Sequence, residues 1–207
     1  MICTKSVTIK GVSPLMMGNN RSCNPSDKFY KLLKPLQKHA SVSYLKSDHN
    51  IRFHNLLWQS FLNTNDNDQL IIPQNDMQRC LIKAGKRQRQ EDLVETACFV
   101  ENDAILEYDG PKDLAELQAD ENFHNKFVLD VGKGPYIRWD TPIFRSWGAN
   151  FRITYDSSIL SSQDFDNLLD TAGRYCGLGS FRYHGYGRFE VCSVPVELCS
   201  VPVPVGI

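Results

Sequence analysis

The stretch 177–191, GLGSFRYHGYGRFEV, sets four glycines, Arg182, Arg188 and His184 among Phe181, Tyr183, Tyr186 and Phe189. Glycines let backbone N–H groups approach a ligand closely. Arginine pairs bidentately with phosphate oxygens, and aromatic rings stack on unpaired bases for about 1–3 kcal/mol each. Gly177, Gly179, Phe181, Arg182, Tyr183, His184, Gly185, Tyr186, Gly187 and Arg188 are therefore candidate contacts to a single-stranded nucleic acid, RNA or ssDNA. The alternative is a tight turn whose rings fold onto the core. Alternation in GRFEV already turns Phe189 and Val191 inward.

Two familiar phosphate loops are excluded. A dinucleotide fingerprint runs strand, loop, helix, so that a helix N-terminus meets the pyrophosphate. Here the expected order is helix, loop, strand, and the third glycine of that pattern would fall at Arg182. A Walker loop needs Gly-Lys followed by Ser or Thr, which the chain lacks.

A second cluster comprises Lys133, Arg138, Arg145 and Arg152, in a stretch whose one acid is Asp140, with Tyr136, Trp139, Phe144, Trp147 and Phe151 between them. A basic, aromatic-rich sheet face can hold a strand of RNA. The plainer alternative puts the arginines on the solvent face of a hairpin and the tryptophans beneath it. A third basic patch, Lys83, Lys86, Arg87 and Arg89, fits either a phosphate contact or a solvated helix end.

Composition restricts the reading further. The net charge of −1 gives no whole-protein field to capture a polyanion, so binding must rest on local clusters. The seven cysteines (3, 23, 80, 98, 176, 192 and 199) show no close pairs, which argues against zinc; no metal or cofactor is expected. No signal peptide and no apolar run of about 18 residues is present, so a cytoplasmic protein with reduced thiols and no membrane contact is expected. No nucleophile–base signature stands out. The acid pairs Asp164/Asp166 and Glu101/Asp103 fall where helix capping and turns account for them. Enzyme activity is not expected.

These side chains need a scaffold. Ser6–Val12 alternates as a strand, and the loop SPLMMGNNRSCNPSD follows it. Phe29–His39 suggests a short helix stopped by Pro35, and Ile51–Leu62 a second one. Asn75 is a candidate N-cap for a helix whose apolar stripe is Met77, Cys80, Leu81 and Ala84. Strand signals follow at 104–108, 127–131, 136–144 and 149–155, the last two reading as partners across RSWG, with a short helix at 114–119. A helix capped by Ser161, with stripe Phe165, Leu168, Leu169 and Ala172, ends at Gly177. A last strand spans 188–194. The expected class is α+β: a ferredoxin-like or RRM-type βαββαβ core with extra hairpins. It forms a single domain over 1–194, with an insert at about 19–70 after the first strand. The tail 195–207, with prolines at 195, 202 and 204, is set apart.

VTIKGVSPLMMGNN, LIKAGKRQ and the terminal helix leading into GLGSFRYHGYGRFEV together resemble the RAMP superfamily, the ferredoxin-like proteins of CRISPR effector complexes. The likeness is to the backbone subunits that line the guide RNA, and IRWDTPIFRSWGANF resembles stand-alone phage-encoded homologues. The resemblance implies RNA contact through the glycine-rich loop and through Ser13–Asn20, recognition of backbone shape rather than bases, and self-association along the ligand or binding to CRISPR complex subunits. Two alternatives come with it: an anti-CRISPR inhibitor that mimics a subunit, and a metal-independent ribonuclease. RNA-cutting relatives commonly use a histidine in or near the first helix. The expected first core helix, 76–89, contains none; of His39, His49, His54, His124 and His184, the last lies in the candidate loop.

Overall fold

The computed structural model describes residues 1–37, 48–129, 137–193 and 196–200. In chain order the elements are β1 (Ile2–Gly11), β2 (Leu15–Met16), α1 (Lys28–Gln37), α2 (Asp48–Ser60), β3 (Ile71–Ile72), α3 (Gln74–Arg87) and α4 (Glu91–Ala97). They continue with β4 (Cys98–Val100), β5 (Ala104–Ile105), β6 (Glu107–Tyr108), α5 (Leu114–Ala119), β7 (His124–Leu129), β8 (Ile137–Phe144) and β9 (Trp147–Asp156). Last come α6 (Ser162–Thr171), a π-helical turn (Ala172–Cys176), β10 (Phe189–Ser193) and β11 (Val196–Ser200). The chain divides into two compact units: Met1–Leu15, Gln69–Asp109 and Arg145–Ile207 form one, and Met16–Asp68 with Gly110–Phe144 the other.

The first unit carries the α+β core. Its sheet runs β10-β1-β9-β4, all pairs antiparallel. With α3 between β1 and β4, and α6 between β9 and β10, this is the βαββαβ order with strands arranged fourth, first, third, second. Alternation decides which face is covered: Cys3, Val7, Ile9, Ala149, Phe151, Ile153 and Tyr155 point inward, while Thr4, Ser6, Thr8, Asn150 and Thr154 face the other side. The inward face meets Met77, Cys80, Leu81 and Ala84 of α3 and Phe165, Leu168 and Leu169 of α6. Tyr155 stacks on Phe165 at 4.4 Å. Buried Lys5 lies over both rings and bonds Asp166 at 2.9 Å. The cap is as the sequence suggests: the Ser161 hydroxyl accepts from the Asp164 N–H at 3.1 Å.

The second unit contains α1, α2, α5 and a sheet of order β2-β8-β7, β2 lying at the unit boundary. Phe29, Leu33, Leu57 and Phe61 form its helical core. Fully buried Trp58 donates to the Phe123 carbonyl at 3.3 Å and stacks on His124 at 5.0 Å. His124 bonds the Asp140 carboxylate through Nδ1 and the Gln118 carbonyl through Nε2, each at 2.8 Å. Both partners accept, so the geometry suits a doubly protonated ring. Burial pulls the imidazole pKa down, but the bonds to Asp140 and Gln118 outweigh it and leave it raised. A raised folded pKa stabilises below the unfolded value of about 6.5, and that contribution disappears as pH rises through the folded value. Melting of His124→Gln beside wild type is therefore expected to show the larger deficit near about pH 6 and the smaller near about pH 8. A deficit independent of pH would contradict this.

Several sequence expectations are corrected. β8 and β9 are not partners: β8 pairs with β7, and β9 with β1, β4 and β6. Both strands alternate across a short turn, but alternation specifies a face and not a neighbour. Helix α1 continues past Pro35 to Gln37, because its apolar side, Phe29 and Leu33, remains buried. Helix α3 is preceded by Pro73 rather than capped by Asn75. The thiols are not all reduced: Cys3 is disulfide-bonded, and the β1–β11 register sets it opposite Cys199. Among the described residues no helix is long and apolar enough to cross a membrane.

Candidate nucleic-acid interface

The loop after α6 begins where α6 passes into the π-helical turn 172–176, and it is held by main-chain bonds. Val12 and Ser13 N–H groups donate to the Arg188 carbonyl at 2.8 and 3.3 Å, and Gly187 N–H donates to the Pro14 carbonyl at 2.8 Å. The Ser13 hydroxyl donates to the Gly185 carbonyl and accepts from the Arg188 N–H, both at 2.8 Å. Leu178 N–H closes the loop base onto the Gly187 carbonyl at 2.9 Å. Ser13 is itself anchored by the buried Trp147, whose indole N–H donates to its carbonyl at 2.8 Å. The segment after β1 thus supports the loop from below. Gly187 is indispensable here: its φ is +70°, and a Cβ would lie 1.9 Å from the Leu178 carbonyl oxygen. Phe181, a bulky residue, adopts φ +56°, a conformation that costs about 1–3 kcal/mol and clusters at ligand sites.

With its base fixed, the loop turns polar groups outward. Tyr183 is 93% exposed, and Phe181 and His184 are also exposed, whereas Phe189 is buried as alternation suggests. Beside it runs α3. Residues 79, 82, 83 and 86 follow i, i+3, i+4, i+7 spacing and share one stripe, next to the buried one. Arg79, Lys83, Lys86 and Arg87 of α3 meet Arg182 and Arg188 of the loop around an open cleft of about 830 Å³, six cations against Glu91 and Glu95. Tyr175, Cys176, Tyr183 and Ile82 complete its lining. Lys83 Nζ lies 5.9 Å from the Tyr183 ring centre and the Arg87 guanidinium 5.7 Å from that of Tyr175, so each ring is shared between helix and loop. Lys86 pairs with Glu91 at 3.6 Å. Arg188 donates through Nη2 to the Arg182 carbonyl at 3.1 Å, and its Nη1 is buried with no hydrogen-bond partner. Burial raises the Asp76 carboxyl pKa, against the opposing charges of Arg182 and Arg79.

The structure therefore joins the first and third basic clusters around one cleft, and Arg145 and Arg152 of the second are not among its lining residues. Arg152 lies on the polar face of β9 and pairs with Glu101 at 2.7 Å. Arg145 is exposed in the turn after β8. Arg138 falls on β8, in the other unit, opposite Val128. Lys133 lies outside the described residues. Gly177, Gly179, Gly185 and Gly187 all have positive φ and shape the loop, while Tyr186 is half-buried. Arg89 is exposed but does not line the cleft. Sequence reasoning missed Arg79 and Tyr175. The helical spacing 79, 82, 83, 86 was the signal for the first; nothing local marked the second. Among the described residues no cluster of His, Cys, Asp or Glu is placed to hold a metal ion.

No family model matches the sequence, and no curated protein matches it. Among solved structures, 77 chains match. One belongs to the cryo-EM structure of the Type III-B Cmr-beta bound to cognate target RNA, with a TM-score of 0.56 and 14% identity, covering 94% of this chain and 60% of that one. At this identity the likeness is one of fold: this chain shares the α+β architecture of a chain in that complex and spans about three fifths of its length.

Proposed function

We propose that the chain is a non-catalytic RNA-binding protein of the RAMP type that holds a single strand in the cleft between α3 and the loop 177–188. The observation that carries this is the cleft itself, where six cations face two acids in a protein of net charge −1. Concentrating positive charge in one open groove suits a phosphodiester backbone. Arg182 and Arg188, which line the cleft, supply guanidinium donors for phosphate oxygens. Tyr183 provides a ring for an unpaired base. The similar chain belongs to an RNA-bound complex, and by that likeness the ligand is RNA rather than ssDNA, held beside neighbouring subunits.

Anisotropy of a labelled single-stranded RNA, titrated with the protein across a salt series, tests the reading, with ssDNA of the same sequence in parallel. Log affinity is expected to fall linearly with log salt, by about 0.7 per phosphate neutralised. Arg182→Ala/Arg188→Ala is expected to weaken binding by at least about tenfold, the scale of one charged hydrogen bond. Equal affinity of wild type and variant would remove the cleft from the mechanism.

A further inference from the structure

Two tyrosines line the cleft, and an irregular piece of backbone presents each of them. Tyr175 belongs to the π-helical turn 172–176, which the Gly177 N–H closes onto the Ala172 carbonyl at 2.9 Å. A π-turn holds one residue more than an α-turn, so it re-aims the side chains it carries, and such turns are frequent at functional positions. Tyr183 is the middle residue of a 3-10 turn, Arg182–His184, set between Phe181 and Gly185, both left-handed. The His184 N–H donates to the Phe181 carbonyl at 2.9 Å and the Gly185 N–H to that of Arg182 at 3.1 Å. These bonds fix the tip on a bulky residue of positive φ, a conformation that persists where it serves a ligand.

Both rings address the same helix. Tyr183 meets Lys83 and Tyr175 meets Arg87. Positions 83 and 87 are i and i+4, so the two cations leave α3 one turn, about 6 Å, apart on one face. We propose that Tyr175 and Tyr183 are two adjacent base-stacking subsites, and that the cleft takes at least two successive unpaired nucleotides, one base on each ring, with Arg87 and Lys83 beside their phosphates. This rests on the RNA-binding reading and adds which part of the polymer is gripped: the faces of the bases.

Exposure and charge favour this use. Tyr183 is 93% exposed and Tyr175 54%, so each ring has a cation within reach and still keeps open surface for a base. A lysine or arginine beside the ring adds a cation–π contribution and stands ready for the phosphate next to the stacked base. Every base has a π-face, so such a pair tolerates any sequence. It does not tolerate a duplex, whose bases are stacked and paired inside the helix and offer no free face to a side chain. The same two rings thus select single strands while leaving the order of bases unread.

The test is a cycle of two proteins and two ligands. The full chain and Tyr175→Ala/Tyr183→Ala are each titrated against a short labelled single-stranded RNA and against the same sugar–phosphate strand made abasic throughout. Wild type is expected to prefer the base-bearing strand by at least about 30-fold, the scale of two stacked bases. The double variant is expected to bind both strands alike, at the wild-type affinity for the abasic one. The salt slope should be the same in all four titrations, because no phosphate contact changes. Tyr175→Phe/Tyr183→Phe keeps both rings and should stay within about threefold of wild type. Both tyrosines are exposed, so the variants are expected to fold, and the wild-type comparison of the two strands needs no variant. Equal wild-type affinity for the two strands, or a base preference that survives in the double alanine variant, would overturn the two-ring site and leave phosphate binding in the cleft standing. Failure of wild type to bind either strand would overturn both.

Discussion

Lys83→Glu/Arg87→Glu is expected to reduce affinity for single-stranded RNA by about 100-fold and to flatten the salt slope by about 1.4, the share of two phosphates. Both side chains are exposed on α3 and line the cleft, so the substitution leaves the core intact and stability should change by no more than about 0.5 kcal/mol. The effect exceeds simple neutralisation because each substitution replaces a cation by an anion in the groove. It also removes the cation over the Tyr183 and Tyr175 rings. Arg152→Ala provides the internal comparison. Arg152 is paired with Glu101 on the sheet face and is not part of the cleft, so its affinity should stay within about twofold of wild type. Comparable losses from both variants would place binding on the sheet face instead.

The second large effect concerns the fold of the loop. Gly187→Ala is expected to cost about 3 kcal/mol or more, from a strained φ together with overpacking. The added Cβ would meet the Leu178 carbonyl oxygen at 1.9 Å, and the backbone there already accepts and donates the bonds that close the loop base. Gly185→Ala separates the two contributions. Its φ is +86° but nothing lies within 4 Å of the new Cβ, so strain alone acts and about 1–2 kcal/mol is expected. Urea denaturation of the two variants checks the difference as a shift in midpoint at constant slope. Similar costs for both would mean that the Leu178–Gly187 contact yields more easily than its spacing implies.

How much of this was visible in the residues depended on the length of each pattern. β1, α3 and α6 carry long, regular stripes, and Ser161 caps α6 where the spacing indicated. The core strand β4 was missed because three residues, Cys98–Val100, are too short to display a period. Helix α4 immediately before it, seven residues long, was missed for the same reason. The pairing of β8 and β9 was misread because alternation is silent about partners. At the cleft, Arg182, Tyr183 and Arg188 stood out by residue type, and the fold sets them along its lining. That Ser13 would bind the loop backbone came only from the fold. The contact joins segments far apart in sequence, and one chain's composition holds no record of such meetings.

The Ser13 anchor also bears on how a ligand would be met. Because Val12, Ser13 and Pro14 already hold Gly185, Gly187 and Arg188 with five hydrogen bonds, an arriving polymer would find that end of the loop in place. The ordering entropy of docking there would fall on the visitor, and the protein would contribute a template rather than a closing hand.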